Sequence, residues 1–177
     1  DDELVHALQT ASWYGDYLHE QAMHAEALEN ADMPPPPMPA TAQYELARSR
    51  LHPIRALTSG AEVIAPAPFY AGGRWRYTAR SAWWQNHHDT PAVLIGHYWR
   101  HWYPRDADPT RENLMPPQNN AWHGAVHNVF CIDYSVGARW RDRKAGIAPA
   151  RSEFRLAAMR WPERVLVFDD GEVAATV

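Results

Sequence analysis

The sequence Ala92-Val-Leu-Ile-Gly-His-Tyr-Trp-Arg100 decides the fold. Its four consecutive apolar residues, 92–95, predict a strand that is buried on both faces, and Gly96 ends that strand. His97 then lies where the backbone leaves the sheet, a usual place for binding sites in sheets covered by helices. A neutral imidazole there can bind a divalent metal, although most histidines at strand ends only form hydrogen bonds. From this stretch alone, both roles remain open for His97.

Helical patterns come first along the chain. Apolar residues recur at every third or fourth position between residues 3 and 30, which predicts a helix. The proline-rich stretch 32–39 predicts a stiff extended loop, because proline lacks an amide proton and restricts the residue before it. A second helix is expected from Thr41, as N-cap, to about residue 52, with Glu45 near the position that a capping box requires. Pro53 bends or ends that helix.

Short strand-like runs follow from residue 61 onward, and they are separated by proline and glycine. Strands are predicted over 74–80, 92–95, 128–133, 154–161 and 164–168. The last two flank Pro162-Glu163 and predict a hairpin. We therefore expect a helical segment, 1–60, and a β-rich part, 61–177, within one domain. The predicted fold class is α/β with α+β character, an α/β sandwich in which helices precede mostly antiparallel strands.

Composition narrows the classes of function. The net charge of −4 and the pI of about 6.2 give no indication of a nucleic-acid-binding surface, and no apolar run has the length of a membrane span. The single cysteine, Cys131, lies in an apolar run and is expected to be a buried, inert thiol. The sequence shows no secretory leader, which predicts a cytoplasmic location.

Several elements in order resemble one known family. Gly-His-Tyr-Trp-Arg at 96–100, Asn-Val-Phe-Cys-Ile-Asp-Tyr-Ser at 128–135 and Leu-Ala-Ala-Met-Arg-Trp at 156–161 resemble the C-terminal half of calcineurin-like metallophosphoesterases. The most similar branch contains bacterial proteins that look like serine/threonine protein phosphatases and bis(nucleosyl)-tetraphosphatases. Arg-Ser-Ala-Trp-Trp at 80–84 is similar to the same branch. The resemblance covers roughly 57–170 and implies the C-terminal part of a β-sandwich with flanking helices.

The resemblance also implies a reaction and a set of site residues. In this family a divalent metal pair (Mn²⁺, Fe²⁺/Fe³⁺ or Zn²⁺) shares a bridging hydroxide that attacks phosphorus. His97 would be the last metal ligand, and Trp99 stands where many members carry a further histidine, as in the protein-phosphatase-like branch. Tyr134 and Arg80 would act beside the phosphate in catalysis and substrate binding, and Arg100 would bind substrate. For Tyr134, a rim aromatic with a satisfied hydroxyl is an equal alternative, and for Arg80 the alternative is a solvated surface arginine.

The earlier ligands of the family are missing from the sequence. No Asp-x-His is present, Gly15-Asp16 falls in a predicted helix, and the run 85–88 has glutamine where the family has glycine. The chain also opens at Asp1 without a methionine. We therefore expect the C-terminal portion of an enzyme, inactive alone, whose partner is its own N-terminal portion. Its substrate would be a small phosphoester, a dinucleoside polyphosphate or a phosphoprotein.

A non-catalytic binding module is the alternative function. It would be a degenerate phosphoesterase lobe or an aromatic carbohydrate-binding surface, although most of these rings are more simply explained as core residues. The platform would consist of Trp83, Trp84, Trp99, Trp102 and Tyr103. His123 and His127 are four residues apart, but strand-like neighbours favour a solvent position for both over a metal pair.

Overall fold

The computed structural model describes residues 2–102, 114–115 and 119–177. The chain forms two compact units, Asp1–Ser81 and Ala82–Val177, and each contains helices and strands. The mixed α and β character predicted from the sequence is therefore confirmed. In the described part of the chain, no helix combines the length and the apolar character needed to cross a membrane.

Five α-helices open the first unit. Their bounds are α1 Asp2–Gln9, α2 Tyr14–Met23, α3 Ala25–Glu29, α4 Pro39–Leu51 and α5 Pro53–Ser59. The prediction of one continuous helix from 3 to 30 is wrong, because the chain turns after Gln9 and again at His24. Thr10 and Ser12 lie in the first turn, and such residues favour turns over helix interiors. The Thr10 hydroxyl donates to the carbonyl oxygen of His6 (2.9 Å) and helps to end α1.

A carboxylate from a neighbouring helix caps α4. Pro39 is the first helical residue, and the Glu20 carboxylate accepts hydrogen bonds from the backbone N–H groups of Ala40 (3.1 Å) and Thr41 (2.7 Å). Thr41 is therefore inside the helix, and its prediction as N-cap is wrong. The predicted capping box is also absent from α4, because Glu45 bonds to a strand instead. Pro53 ends α4, as predicted, and also begins α5.

A hairpin completes the first unit. The strands β1 Glu62–Ala71 and β2 Arg74–Arg80 pair antiparallel, and the register shifts between Ile64 and Phe69. β2 matches its predicted range. β1 was not predicted as a strand, because Pro66 and Pro68 are typical of irregular segments, and here they coincide with that irregularity. Four residues from the helices and β2 form the core of this unit: Met38, Ala42, Trp75 and Tyr77.

Two small sheets form the second unit. β3 Val93–Ile95 and β4 Val129–Cys131 are parallel, with Val93 opposite Val129 and Ile95 opposite Cys131. A three-stranded antiparallel sheet has the order β5 Ala157–Arg160, β6 Val165–Phe168 and β7 Val173–Ala175. The hairpin predicted around Pro162-Glu163 joins β5 to β6 and is confirmed.

The core of the second unit is aromatic. β4 is fully buried, and the prediction of a buried Cys131 thiol is confirmed. The prediction that β3 is buried on both faces is wrong, because Leu94 is 44% exposed and Val93 and Ile95 are only half-buried. The main cluster consists of Trp122, Phe130, Tyr134, Ala157, Leu166 and Phe168. One short helix, α6 Arg139–Lys144, lies between the two sheets in the sequence. Phe130 of β4 belongs to this cluster, so the parallel pair of strands packs against the aromatic core.

Candidate functional site

The candidate site lies where β3 and β4 end. Because the two strands are parallel, their carboxyl ends lie side by side, and the Ile132 N–H extends the pairing by donating to the carbonyl oxygen of Ile95 (2.9 Å). Residues 96–100 follow β3, and residues 132–135 follow β4. We call these two segments the strand-end site. Such an edge is where ligands bind in many sheets with helical cover.

The Asp133 carboxylate ties the two segments together. Its Oδ2 accepts the backbone N–H of His97 (2.8 Å), and its Oδ1 accepts the backbone N–H of Ser135 (2.9 Å). The Asp133 carbonyl oxygen accepts the N–H of Arg100 (2.8 Å), and the Ser135 hydroxyl donates to the Arg100 carbonyl oxygen (2.8 Å). The backbone around His97 is therefore held in one conformation by bonds to the neighbouring segment.

Three residues of the strand-end site have left-handed backbone conformations. The φ angles are 66° at His97, 49° at Trp99 and 62° at Ser135. Each such residue with a side chain costs roughly 1–2 kcal/mol. The hydrogen bonds to Asp133 maintain this strain, and strained backbone of this kind is concentrated at functional sites in proteins.

His97 occupies the position at the strand end that the sequence predicted. Its side chain is half-buried, and its ring meets the Trp99 ring edge to face with 5.9 Å between the ring centres. The Trp99 side chain itself is 56% exposed. The imidazole therefore lies at the boundary between the protein and solvent, where a ligand can reach it. Its role as a metal ligand stays a prediction.

Arg100 and Tyr134 belong to the core that supports the strand-end site. Arg100 is buried, its Nη1 donates to the carbonyl oxygen of Cys131 (3.2 Å), and its guanidinium lies 5.7 Å from the centre of the Tyr134 ring. The Tyr134 side chain is 1% exposed, and its hydroxyl donates to the carbonyl oxygen of Asn119 (2.6 Å). Burial lowers the pKa of Arg100 and raises that of Tyr134 above its ordinary value. Substrate contact by either side chain stays a prediction and requires a movement that exposes it.

Arg80 lies in the other unit. It is the last residue of β2, half-buried, and opposite Glu62 in the register of the hairpin. Its proposed roles in catalysis and phosphate binding also stay predictions.

His123 is a buried polar residue that the sequence analysis placed in solvent. It is 5% exposed, and its Nε2 has no hydrogen-bond partner among the described residues. Burial, reinforced by the positive charge of Arg100, lowers the pKa of His123 to about 4, so the imidazole is neutral at pH 7. The prediction of a solvent position is wrong for His123 and correct for His127, which is exposed.

A glycine explains why His123 turns inward. Gly124 has a φ of 94°, and the chain turns there so that His123 pairs with Val129 through N–H to carbonyl bonds of 2.7 and 3.1 Å. A Cβ at Gly124 would lie 2.9 Å from the carbonyl oxygen of Trp84, so only glycine fits without a shift of the backbone. A glycine directly after a histidine was the available sequence signal for this turn.

The described residues do not complete a metal site by themselves. No three His, Cys, Asp or Glu side chains among them are grouped to hold an ion, and both carboxylate oxygens of Asp133 already accept backbone N–H groups. His97 is thus a single candidate donor, and the metal pair of the resembling family does not fit these residues alone.

The aromatic platform is mostly part of the core. Trp84 is 3% exposed, and the Trp102 ring packs 4.7 Å from the ring of Phe168. Trp99 is the exposed member at the strand-end site, whereas Tyr103 lies outside the described residues. Comparison of the chain with protein-family models, with curated proteins and with solved structures finds no match in any of the three.

Proposed function

We propose that this chain is the C-terminal portion of a dinuclear-metal phosphoesterase and that His97 is the last histidine ligand of its metal pair. The observation that carries the proposal is the position of His97 just after the carboxyl end of β3, which is paired parallel to the fully buried β4, with its backbone N–H held by Asp133 at 2.8 Å. The resemblance of 96–100 and 128–135 to calcineurin-like metallophosphoesterases supplies the reaction class, the hydrolysis of phosphoric esters.

In the proposed enzyme, Asp133 is a positioning residue. Its hydrogen bond fixes the backbone of His97, and this fixes the position from which the imidazole side chain extends at the edge of the sheet. A bound metal pair lowers the pKa of a water molecule and neutralises charge on the phosphate. The other ligands would come from the N-terminal portion of the enzyme. The two small sheets would form part of the β-sandwich of the family.

The test is Mn²⁺-dependent hydrolysis of p-nitrophenyl phosphate by the full-length protein and by its His97→Gly variant. Glycine accepts a φ of 66° without strain, so the variant removes the imidazole and leaves the backbone in place. We expect kcat/KM to fall by about 100-fold or more, since loss even of residues behind a ligand costs 10- to 100-fold. His127→Gly is the matched control, because His127 also has a left-handed backbone, with a φ of 51°, but is exposed and lies outside the strand-end site; this variant should retain the activity of the parent protein. Equal activity of the parent and of His97→Gly would rule out the assignment.

A non-catalytic binding module is the second candidate, and the exposure of Trp99 favours it. An exposed indole beside a half-buried imidazole can stack on an apolar sugar face. Titration with oligosaccharides, monitored by tryptophan fluorescence, tests this function. Saturable quenching that is lost in Trp99→Ala would support it, and the absence of quenching in the parent protein would exclude a sugar site at Trp99.

A further inference from the structure

The first unit contains a cleft of about 230 Å³ between its helices and its hairpin. The walls come from helices α2 to α5 on one side and from the strands β1 and β2 on the other. Six charged residues line it: Arg48, Arg55, Arg74, Arg76, Glu45 and Glu62. We call this feature the arginine cleft. None of its lining residues belongs to the strand-end site.

The arginine cleft carries an excess of positive charge. Four guanidinium groups face two carboxylates, and within the described residues none of the four arginines forms an ion pair. The Glu45 carboxylate already accepts hydrogen bonds within the fold: its Oε2 accepts the backbone N–H groups of Tyr77 (2.9 Å) and Thr78 (3.2 Å). Glu62 accepts a hydrogen bond from the Thr78 hydroxyl (2.9 Å). The cleft therefore has guanidinium N–H donors in excess of its available acceptors.

The positive charges of the cleft arginines repel one another. Burial and the positive charge of Arg74 lower the pKa of Arg76, and Arg55 adds to this effect, while Glu45 and Glu62 oppose it. Two carboxylates compensate only part of the repulsion among four guanidinium groups, and the uncompensated part costs free energy. A bound anion would remove this repulsion, and planar guanidinium groups form bidentate hydrogen bonds with oxyanions.

The walls of the arginine cleft are pre-organised. The rings of Tyr17 on α2 and Tyr44 on α4 stack with 4.1 Å between their centres and 6° between their planes. Gln21 donates a hydrogen bond to the Thr41 hydroxyl (3.1 Å) across the same helix pair. The Nε of Arg76 donates to the carbonyl oxygen of Ala71 (3.2 Å), which orients its guanidinium and leaves the terminal nitrogens for a ligand. Arg76 is thus oriented before a ligand binds, which reduces the side-chain entropy that binding must remove at this residue.

We infer that the arginine cleft binds a small phosphate-bearing anion, with Arg48, Arg74 and Arg76 as its guanidinium ligands. A phosphate group suits the cleft better than a single carboxylate, because it brings a charge near −2 and three acceptor oxygens to donors that converge from a helix and a strand. The site needs no metal and does not involve His97.

The experiment is calorimetric titration of the 177-residue protein with inorganic pyrophosphate in buffer that contains EDTA. The parent protein should bind saturably with a Kd of about 1 mM or tighter. Arg74→Gln, at an exposed position, and Arg48→Gln should each weaken binding about tenfold or more, because each removes charge-assisted hydrogen bonds. Arg50→Gln is the matched control, since this exposed arginine is also on α4 but does not line the cleft.

Two further titrations serve as comparisons. His97→Gly should bind pyrophosphate as the parent protein does, so the result is separate from the proposed phosphoesterase function. Citrate, a carboxylate anion of similar charge, should bind more weakly than pyrophosphate. The inference is overturned if pyrophosphate gives no saturable binding, if Arg50→Gln weakens binding as much as Arg74→Gln does, or if citrate binds more tightly. Circular dichroism of each variant shows whether a loss of binding reflects unfolding.

Discussion

The Asp133 carboxylate determines the conformation of the strand-end site. It accepts one backbone N–H on each of its two oxygens, from segments that are far apart in the sequence. A buried or half-buried N–H group that loses its acceptor costs more free energy than the bond itself contributes. The conformation of His97 thus depends on a residue that has no predicted part in the chemistry.

Replacing Asp133 with asparagine tests this dependence. Asparagine offers one acceptor oxygen, and its NH₂ group would face the second N–H donor. We expect the free energy of unfolding to fall by about 1–3 kcal/mol. Urea denaturation of the parent and variant proteins measures the change. Equal unfolding midpoints would show that the two hydrogen bonds do not hold the strand-end site.

The buried imidazole of His123 makes stability depend on pH. Its pKa is about 4 in the folded protein and 6.5 in an unperturbed histidine. Between these values the unfolded chain binds a proton that the folded chain does not, so stability falls as the pH falls. The loss is about 1.4 kcal/mol for each pH unit, on the order of 3 kcal/mol in total.

Denaturant unfolding of the parent protein and of His123→Gln at several pH values between 6.5 and 4 measures this contribution. Glutamine does not titrate in this range, so the variant should lose stability less steeply than the parent. His88→Gln is the control, because this exposed histidine lies in the same unit and is not among the groups that shift the pKa of His123. Parallel curves for the parent and His123→Gln would contradict the assignment of a neutral buried imidazole.

Among the secondary-structure elements, β6 is the central strand of the antiparallel sheet in the second unit. It pairs with β5 on one side and β7 on the other, and Leu166 is fully buried at its centre. Two arginines further tie this sheet to the chain around it. Arg139 pairs with Asp169, and the buried Arg155 pairs with Asp170 and Glu172 at the turn after β6.

Truncation of Leu166 should therefore be costly. We expect Leu166→Ala to lower the free energy of unfolding by about 2–5 kcal/mol, because the cavity lies in a core that can collapse only partly. Leu156→Ala, whose side chain is 54% exposed, is the matched control and should change it by less than about 1 kcal/mol. Similar thermal stabilities of the two variants would contradict the packing described for β6.

Local sequence patterns predicted the strands β2 to β6 and missed β1 and β7. The runs at 92–95, 128–133 and 164–168 are apolar and short, and each contains a strand. The helix ends depend on contacts over long distances, such as the capping of α4 by Glu20 and the bonds of Glu45 to β2, and no local motif contains that information. The positions of His97 and Asp133 at the strand ends were predictable from the sequence, as was a positioning role for Asp133 through hydrogen bonds. The bond from His97, 36 residues away, and the inward position of His123 arise from tertiary structure.

For the molecule as a whole, each unit has its own proposed ligand chemistry. The first unit contains the arginine cleft, and the second contains the strand-end site around His97. The first depends on guanidinium groups and the second on an imidazole, so salt should weaken pyrophosphate binding to the cleft more than it weakens metal binding. Variants in one unit therefore leave the proposed function of the other testable.

The metal content of the purified full-length protein tests the central claim most directly. Inductively coupled plasma mass spectrometry of the parent protein and of His97→Gly, both loaded with Mn²⁺ and desalted, counts the bound ions. If the proposed function holds, we expect about two metal ions per chain in the parent protein, the number that two-metal hydrolases bind, and a loss of about one in His97→Gly. An unchanged metal content in His97→Gly would contradict the claim that His97 is a metal ligand.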